Sequence, residues 1–456
     1  MKIIQGADFD SYWKKESKTE DDSTTEETVK KIIADVRMNG DAAVKKYASQ
    51  FDKSSPEKLE VPLTNTLSAL DELRESDPPV VQALELAARH IKCFSEKQKE
   101  QFFDFEFEME KGLFTGQRVI PVQKAAVYIP GGRFPLFSSV LMCMIPAFCA
   151  GVEEVILTSP PCKDGLPDRK TLAAAAIAAI TSGVSLNEDN SAVGRLRIFA
   201  IGGAQAVAAL ALGTETVPRA DIIAGPGNKY VAAAKRILFG EVGIDFIAGP
   251  TDVLIINDGK STEQCAISNE QIADLIASDM LGQAEHDTDA RARALVPTKE
   301  FADNILAAVE RRLKTLSTEK TARSSLDSGG AVIVYRNTEE AVSIANKIAP
   351  EHLELQTSEN ERWIPHLKNY GSLFIGRLSA EVLGDYSAGI NHTLPTSASA
   401  RFTGGLSVRH FLKTVTTLRC TQGEGYDNAL KAAEILARSE GLEGHAQSAA
   451  ARMFQK

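Results

Sequence analysis

Residues 281–290, LGQAEHDTDA, bring together side chains that could bind a metal ion. Gln283 and His286 are three positions apart, so on a helix they would lie on one face. An amide oxygen and an imidazole nitrogen are both ligands that zinc accepts. We interpret the neighbouring Glu285, Asp287 and Asp289 as a face exposed to water. The stretch alone leaves a metal site, a general-base cluster and a solvated helix end open.

Other histidines lie close to acidic residues in three further motifs. They are Glu351–His352 in APEHLEL, Asp385 and His392 in GDYSAGINH, and Glu440 and His445 in SEGLEGHA. Together with Gln283 and His286, these groups supply imidazole, carboxylate and amide ligands, a set that suits zinc and leaves room for a substrate. Separation along the chain does not show that the groups meet in space, so the residues alone favour a metal site without establishing it.

The composition describes an acidic globular chain without a thiolate metal motif. Its 456 residues carry a net charge of −10, with 25% charged and 43% hydrophobic residues, which argues against nucleic acid or an acidic membrane surface as the main partner. No apolar run reaches the ~18–20 residues of a membrane span, and the N-terminus turns acidic too early for a signal peptide. Because the six cysteines are scattered, we expect a cytoplasmic protein whose metal ligands do not include sulfur.

Alternating strand and helix patterns from about residue 124 onwards predict an α/β fold. Short apolar runs such as KAAVYI, EEVILTS, LRIFAIGG and DVLIIND alternate with helical stretches such as RKTLAAAAIAAITSG. This alternation is typical of parallel sheets that are covered on both faces. We expect two Rossmann-like parallel-sheet domains, at 126–251 and 252–395, with a helical N-terminal region at 1–125 that partly packs on the second domain and a small helical C-terminal segment at 396–456.

Three turns that contain glycine follow predicted strands, at the ends where α/β sheets bind ligands. They are IPGGRFP after Tyr128, IGGAQAVAAL at Ile201 and AGPGNKYV after Ile223. Glycine lets the backbone approach a phosphate, and the helix that follows offers unpaired N–H groups. Three such turns in one domain favour a nucleotide or another anion, although the G-x-G-x-x-G fingerprint is absent.

The motifs, taken together and in order, resemble those of the histidinol dehydrogenase family. The resemblance runs from about residue 30 to the end and is carried by VYIPGGRFPLFSSVLM, GGAQAVAALALGTE, GPGNKYV, AGPTDVLII, LGQAEHD, APEHLEL, GDYSAGINHTLPT, ARFTGGLSV and EGLEGHA. Members of this family are zinc- and NAD-dependent enzymes of the last steps of histidine biosynthesis. The number and order of the motifs make the resemblance highly specific.

The resemblance implies where the functional residues lie. Zinc would be bound by Gln283, His286, Asp385 and His445, the last of these contributed by the other subunit of an obligate homodimer. NAD would contact Tyr128, Gln205 and Asn228, while the substrate would contact Thr251, His392, Glu440, His352 and the four zinc ligands. The domain at 126–251 would then bind NAD, the domain at 252–395 would carry the zinc and catalytic residues, and the segment at 396–456 would cross to the other subunit.

The implied reaction is the four-electron oxidation of L-histidinol to L-histidine through histidinal, with two NAD molecules. Glu351 and His352 would be the catalytic pair. Zinc would orient the substrate. His352, with a pKa near neutrality, would take the alcohol proton, and Glu351 would help to activate water for the second oxidation.

Some features depart from this family pattern or allow other functions. The family commonly has Ser-Glu where this chain has Thr251-Asp252, and the segment at 183–195 is longer than usual. GGRFP and ARFTGGLSV are also similar to a branch that oxidises sulfonated diols such as 2,3-dihydroxypropane-1-sulfonate, for which Arg133 or Arg401 could supply a cation. A zinc hydrolase that uses Glu351 and a non-catalytic α/β binding protein are the alternatives from other classes.

Overall fold

The computed structural model describes residues 1–16, 23–52, 54, 57–131, 135–186, 195–260 and 267–453. Arg133 and residues 187–194, the centre of the long segment, lie outside the described residues. The strands are β1 (Lys2–Gln5), β2 (Glu60–Val61), β3 (Phe105–Glu110), β4 (Leu113–Pro121), β5 (Lys124–Tyr128), β6 (Glu154–Ser159), β7 (Arg195–Ala200), β8 (Ile222–Ala224), β9 (Gly243–Ile244), β10 (Asp252–Asn257), β11 (Arg291–Val296), β12 (Ala331–Val334), β13 (His352–Gln356), β14 (Ser372–Ile375) and β15 (Leu412–Cys420).

The helices alternate with these strands through most of the chain. They are α1 (Phe9–Glu16), α2 (Ser23–Phe51), α3 (Leu63–Ser76), α4 (Pro78–Lys99), α5 (Ser138–Ala150), α6 (Arg169–Thr181), α7 (Gly203–Leu212), α8 (Lys229–Leu238), α9 (Asn269–Ala284), α10 (Lys299–Leu313), α11 (Glu319–Gly329), α12 (Thr338–Ile348), α13 (Asn360–Trp363), α14 (Glu381–Tyr386), α15 (Glu424–Ser439) and α16 (Glu443–Ala450). Among the described helices, none combines the length and hydrophobicity that a membrane crossing requires.

The first sheet has six strands in the order β2-β7-β6-β5-β8-β9. All neighbours are parallel except β2, which runs antiparallel to β7. Helices α3 to α6 cover one face and α2, α7 and α8 cover the other, which explains why its inner strands read as continuous apolar runs. The chain adds β6 and β7 on one side of β5 and then returns to place β8 on the other side. The carboxyl ends of β5 and β8 therefore flank the crevice where such sheets bind ligands.

The second sheet also has six strands, in the all-parallel order β1-β12-β11-β10-β13-β14. Helices α9, α10 and α11 cover one face, and α1 and α12 cover the other. The two helix-covered parallel sheets confirm the predicted α/β fold class. The N-terminal strand β1 pairs with β12 in this sheet, whereas helices α2, α3 and α4 pack on the first sheet.

A small antiparallel sheet has the order β15-β4-β3 and joins segments that are far apart in the chain. The N-terminal region and the C-terminal segment, which the sequence predicts as mainly helical, also contain these strands, which the sequence patterns did not predict. The alternating sequence FEFEME of β3 has the two-residue period of a strand. Its Phe105, Phe107 and Met109 side chains are largely exposed in the single chain, as is Leu418 on β15.

Candidate active site

Six of the predicted site residues line one cavity of about 180 Å³. They are Thr251, His286, Glu351, His352, Asp385 and His392. Pro226 and Gly227, which follow β8 of the first sheet, line the same cavity. Because Thr251 precedes β10 and Glu351 precedes β13, the cavity lies between the carboxyl end of the first sheet and the amino end of the second.

Glu351 is fixed by hydrogen bonds to the segment that begins β10. The Thr251 hydroxyl donates to Oε2 of Glu351 at 2.5 Å, and the backbone N–H of Asp252 donates to the same oxygen at 3.2 Å. Burial raises the pKa of Glu351 to about 7, although the charge of His352 and the hydrogen bond from Thr251 oppose the rise. Glu351 can therefore exchange a proton near neutral pH.

Asp252, which replaces the Glu common in the family, faces the protein and not the cavity. Its Oδ1 accepts from the backbone N–H of Glu351 at 3.0 Å, and its Oδ2 lies 3.6 Å from Nη1 of the buried Arg293. Asp252 is not among the residues that line the cavity. Asp252 therefore helps to position Glu351 from the side that faces away from the cavity.

His352 is almost fully buried, and its two ring nitrogens have different surroundings. Nδ1 lies 3.4 Å from Oε1 of Glu381, whereas Nε2 lies 3.6 Å from Oδ1 of Asp385 and has no hydrogen-bond partner among the described residues. Burial by itself lowers the pKa of His352, but the carboxylates of Glu381 and Glu351 carry it well above the ordinary histidine value. The expectation of a pKa near neutrality therefore fits Glu351 and not His352 in this structure.

Glu381 is a buried carboxylate of the site that the sequence motifs did not identify. It begins α14, four residues before Asp385, and its backbone N–H donates to Oε1 of Glu354 at 2.9 Å. Glu354 and His352 are two residues apart on β13 and so point to the same face of the sheet. An E-x-x-x-D spacing after a predicted strand was the only signal that could have linked Glu381 to Asp385.

Two buried groups and the half-buried Asp385 form a cluster that could hold a cation. One ligand atom from each of His352, Glu381 and Asp385 lies within 4.8 Å of the others. Burial raises the pKa of Asp385, but the ring of His352, helped by His392 and His286, holds it below its ordinary value. Asp385 is therefore ionised and available as a ligand.

The predicted zinc ligands of this chain only partly converge. Nε2 of His286 lies 3.8 Å from Oδ2 of Asp385. Helix α9 ends at Ala284, so His286 lies in the turn that follows and not on a shared helical face with Gln283. With its nitrogen directed to Glu381, the buried Gln283 amide donates to that carboxylate, and its oxygen accepts from the Asp252 N–H at 3.0 Å.

His392 contacts both neighbouring elements through its ring. Nδ1 lies 2.7 Å from the carbonyl oxygen of Asp385, and Nε2 lies 2.9 Å from Oγ of Ser139 on α5. Because a carbonyl only accepts, Nδ1 carries the proton and Nε2 accepts from Ser139. Burial lowers the pKa of His392, which agrees with a neutral ring that positions the loop carrying Asp385.

Glu440 and His445 do not join the site within a single chain. Glu440 follows α15 and His445 lies on α16, and both residues are exposed. Neither residue is among those that line the cavity. Of the four expected zinc ligands, one chain therefore brings together His286 and Asp385.

The three predicted NAD contacts lie around the crevice of the first sheet. Tyr128 ends β5, and its hydroxyl accepts from the backbone N–H of Gly203 at 3.0 Å. Gln205 is buried on α7. The side-chain oxygen of Asn228 caps α8 by accepting from the N–H groups of Tyr230 and Val231 at 3.0 and 3.2 Å. Tyr128 and Asn228 thus accept from backbone N–H groups at the starts of α7 and α8.

Arg401, one of the two candidate sulfonate-binding arginines, does not line this cavity. Arg401 is exposed, and its guanidinium donates to the backbone carbonyl of Lys347. It is not among the residues that line the cavity. Since Arg133 lies outside the described residues, the described part of the cavity offers no arginine to a sulfonate.

The fold and the cavity define a class of protein, an α/β enzyme with a histidine–carboxylate site between two parallel sheets. Residues 15–453 match the family model described as histidinol dehydrogenase. The histidinol dehydrogenase of Nitrosomonas europaea is 44% identical over 434 residues, which cover 94% of this chain and 93% of that protein. The enzyme of the same name from Pseudomonas syringae pv. tomato is 41% identical over 435 residues, with 95% and 90% covered.

A solved structure gives the same result. The crystal structure of histidinol dehydrogenase from Elizabethkingia anophelis matches with a TM-score of 0.84 and 32% identity, covering 97% of this chain and 96% of that one. The chain belongs to the histidinol dehydrogenase family. This confirms the resemblance that its sequence motifs carry.

Proposed function

We propose that this chain catalyses the NAD-dependent oxidation of L-histidinol to L-histidine, the activity after which its family is named. The observation that carries the proposal is the convergence of Glu351, His352 and Asp385 on a cavity that also borders the glycine turn of the first sheet. A dehydrogenase needs this arrangement, because the proton and the hydride leave the same carbinol group. A base must accept the proton while NAD, bound beside the substrate, accepts the hydride.

His352 is the base that we assign to the alcohol proton. Its Nε2 lacks a hydrogen-bond partner among the described residues, so a substrate hydroxyl can donate to it. The ring must be neutral to accept that proton, whereas nearby carboxylates raise its pKa. A cationic substrate amine beside Asp385 would oppose this rise and favour the neutral ring.

Glu351 is the group that we assign to the second oxidation. Its pKa of about 7 lets it accept a proton from water near neutral pH. Thr251 and the backbone of Asp252 direct Oε2. Two neighbouring groups with separate hydrogen-bond partners can thus serve two proton transfers.

We assign zinc to Gln283, His286 and Asp385, with His445 of a second copy as the fourth ligand. The donor set fits, because it combines two imidazoles, a carboxylate and an amide oxygen, and Oδ2 of Asp385 already lies 3.8 Å from Nε2 of His286. When bound, zinc would orient the substrate and stabilise negative charge on its oxygen.

We assign NAD to the crevice between β5 and β8, with Tyr128, Gln205 and Asn228 around it. The support is topological, since ligands of open α/β sheets bind where the strand order reverses. Pro226 and Gly227 of the same turn line the catalytic cavity. A cofactor on this turn would therefore border the substrate.

We propose that the active unit is a cytoplasmic homodimer with a shared active site. Glu440 and His445 are exposed and outside the cavity of their own chain, so a second copy is the available source for them. The same region exposes large apolar side chains: Leu418 is 68%, Ile435 67% and Leu436 62% exposed. Exposed apolar surface of this kind is typical of an interface between protein chains.

Initial rates of NADH formation with two substrates test the proposed activity. We expect rapid turnover of L-histidinol and negligible turnover of 2,3-dihydroxypropane-1-sulfonate at equal concentrations, with the His352→Asn variant as the background control. The reverse pattern would overturn the substrate assignment. The relatives compared above are all named histidinol dehydrogenase and give the sulfonate alternative no support.

A further inference from the structure

Lys235 and Asp245 form a buried ion pair next to the glycine turn at 225–228. Lys235 is 2% and Asp245 is 8% exposed. The Lys235 ammonium contacts Oδ1 of Asp245 and donates to the carbonyl oxygen of Gly225 at 3.0 Å. Oδ2 of Asp245 accepts from the backbone N–H of Gly225 at 2.8 Å. The pair therefore binds both polar backbone groups of Gly225.

Gly225 occupies a position that tolerates little displacement. Its φ is +112°, and a Cβ atom added here would lie 2.2 Å from the carbonyl oxygen of Tyr128. The turn thus passes in close contact with the end of β5, in a conformation that favours glycine. A small shift at Gly225 would move Pro226, Gly227 and Asn228 together.

The same ion pair also contacts the segment that follows β9, which lines the catalytic cavity. Oδ1 of Asp245 accepts from the backbone N–H of Phe246 at 2.7 Å. Phe246, Ala248 and Gly249 of this segment line the cavity, as do Pro226 and Gly227 of the glycine turn. The two side chains therefore join a turn assigned to NAD with a wall that faces the substrate.

We propose that Lys235 and Asp245 are positioning residues that set the distance between the NAD turn and the substrate cavity. The proposal rests on the proposed NAD site around Asn228. Neither side chain is among the cavity-lining residues, so the pair would act through Gly225 and Phe246. A buried ion pair often adds little stability compared with apolar residues of similar size, which favours a role in geometry over a role in stability alone.

The double variant Lys235→Met/Asp245→Leu separates geometry from stability. It removes both charges together, so it avoids the large cost of one unpaired buried charge. We expect a lower melting temperature, because the N–H groups of Gly225 and Phe246 and the carbonyl of Gly225 lose their partners. We also expect an increase of about tenfold or more in the KM for NAD, because both hydrogen bonds to Gly225 are lost. The KM for L-histidinol and the zinc content should stay within about twofold of the wild type.

The single variant Asp245→Asn keeps the test valid if the double variant does not fold. It preserves the size of the side chain but replaces one of the two accepting oxygens with a donor. We expect a smaller rise in the KM for NAD, again without a matching rise for L-histidinol. A folded variant of either kind with an unchanged KM for NAD, or with equal increases in both KM values, would overturn the proposal.

An exposed ion pair of the same region provides the control. Arg37 and Glu241 contact each other at 2.6 Å near the end of α8, so Arg37→Gln/Glu241→Gln should leave both KM values unchanged. Calorimetry of NAD binding to the zinc-loaded wild type distinguishes a failure of the proposed function from a failure of the proposed role of the ion pair. Absence of NAD binding there would refute the proposed function, whereas NAD binding that the double variant fully retains would refute only the role of the ion pair.

Discussion

Oε1 of Glu381 lies 3.4 Å from Nδ1 of His352, and both side chains are buried. A carboxylate at one ring nitrogen fixes the imidazole and leaves the other nitrogen to act as a base. The other nitrogen, Nε2, is directed towards Asp385 at the cavity. Glu381 and the carbonyl oxygen of Asp252, which lies 3.3 Å from the same nitrogen, together orient His352.

Glu381→Gln tests this relationship with little change in side-chain size. We expect kcat for L-histidinol oxidation to fall by about tenfold to a hundredfold, within the range of a weakened general base, while bound zinc per chain stays near that of the wild type. The exposed Glu361 allows a matched control, Glu361→Gln, which should keep the kcat of the wild type. An unchanged kcat in Glu381→Gln would show that His352 does not depend on Glu381.

The proposed division between base and metal ligands predicts different metal contents. His352→Asn should slow both hydride steps but retain nearly normal zinc, since Asn preserves much of the volume of the ring. Asp385→Ala and His445→Ala should each lose most of the zinc, because each removes one of four ligands. Metal analysis of the purified, dialysed variants measures this directly. Equal zinc loss in all three would contradict the assignment.

Mixing two inactive variants tests the shared active site. If each site combines His352 of one chain with His445 of the other, a dimer of His352→Asn with His445→Ala contains one intact site. After unfolding and refolding together, about half of the dimers should be mixed, which gives about a quarter of the wild-type activity. Each variant refolded alone serves as the control. No recovery in the mixture, from chains that do form dimers, would place both residues in the same chain's site.

Asp52 gives a prediction for the pH dependence of stability. Burial raises its pKa from 3.8 to about 6, against opposing hydrogen bonds from Gly202 and Gln205. The folded state therefore holds the proton more tightly than the unfolded state, so the contribution of Asp52 to stability falls as the pH rises from 3.8 to about 6.

Asp52→Asn should remove this dependence, because the amide does not ionise. We expect nearly equal melting temperatures at about pH 4, and a variant that melts about 1–2 °C higher than the wild type at about pH 8, a small shift because the group is partly screened by solvent. Thermal unfolding of both proteins across this range measures the difference. A variant that is less stable at the higher pH would reverse the predicted sign.

The sequence was sufficient for the fold class wherever strands are covered on both faces. Runs such as EVILTS and DVLIIN are buried along their whole length. Near-continuous apolar runs of this length are typical of strands in a parallel sheet that is covered on both faces. The sequence patterns did not predict strands β3 and β15, because both lie in an exposed antiparallel sheet. Strands that are not covered on both faces do not need a continuous run of apolar residues. Pairing partners such as Leu412 and Pro121 are also too distant along the chain to be inferred from local pattern.

The site residues were less accessible to local reasoning. Thr251 and Glu351 are 100 positions apart but share a hydrogen bond, and only the neighbouring strands β10 and β13 bring them together. The residues alone suggested a zinc-compatible set, whereas their separate roles came from the family resemblance. Glu381 belongs to no motif, because its function depends on the position of α14 across β13.

The ratio of NADH formed to L-histidinol consumed tests the central claim most directly. The zinc-loaded enzyme should form two NADH for each L-histidinol, since both oxidations take place at one site where Glu351 and His352 serve separate proton transfers. End-point absorbance with limiting substrate, together with chromatographic measurement of L-histidine, gives this ratio. A value of two with stoichiometric L-histidine is the predicted result. A value of one with released histidinal, or no NADH at all, would contradict the account.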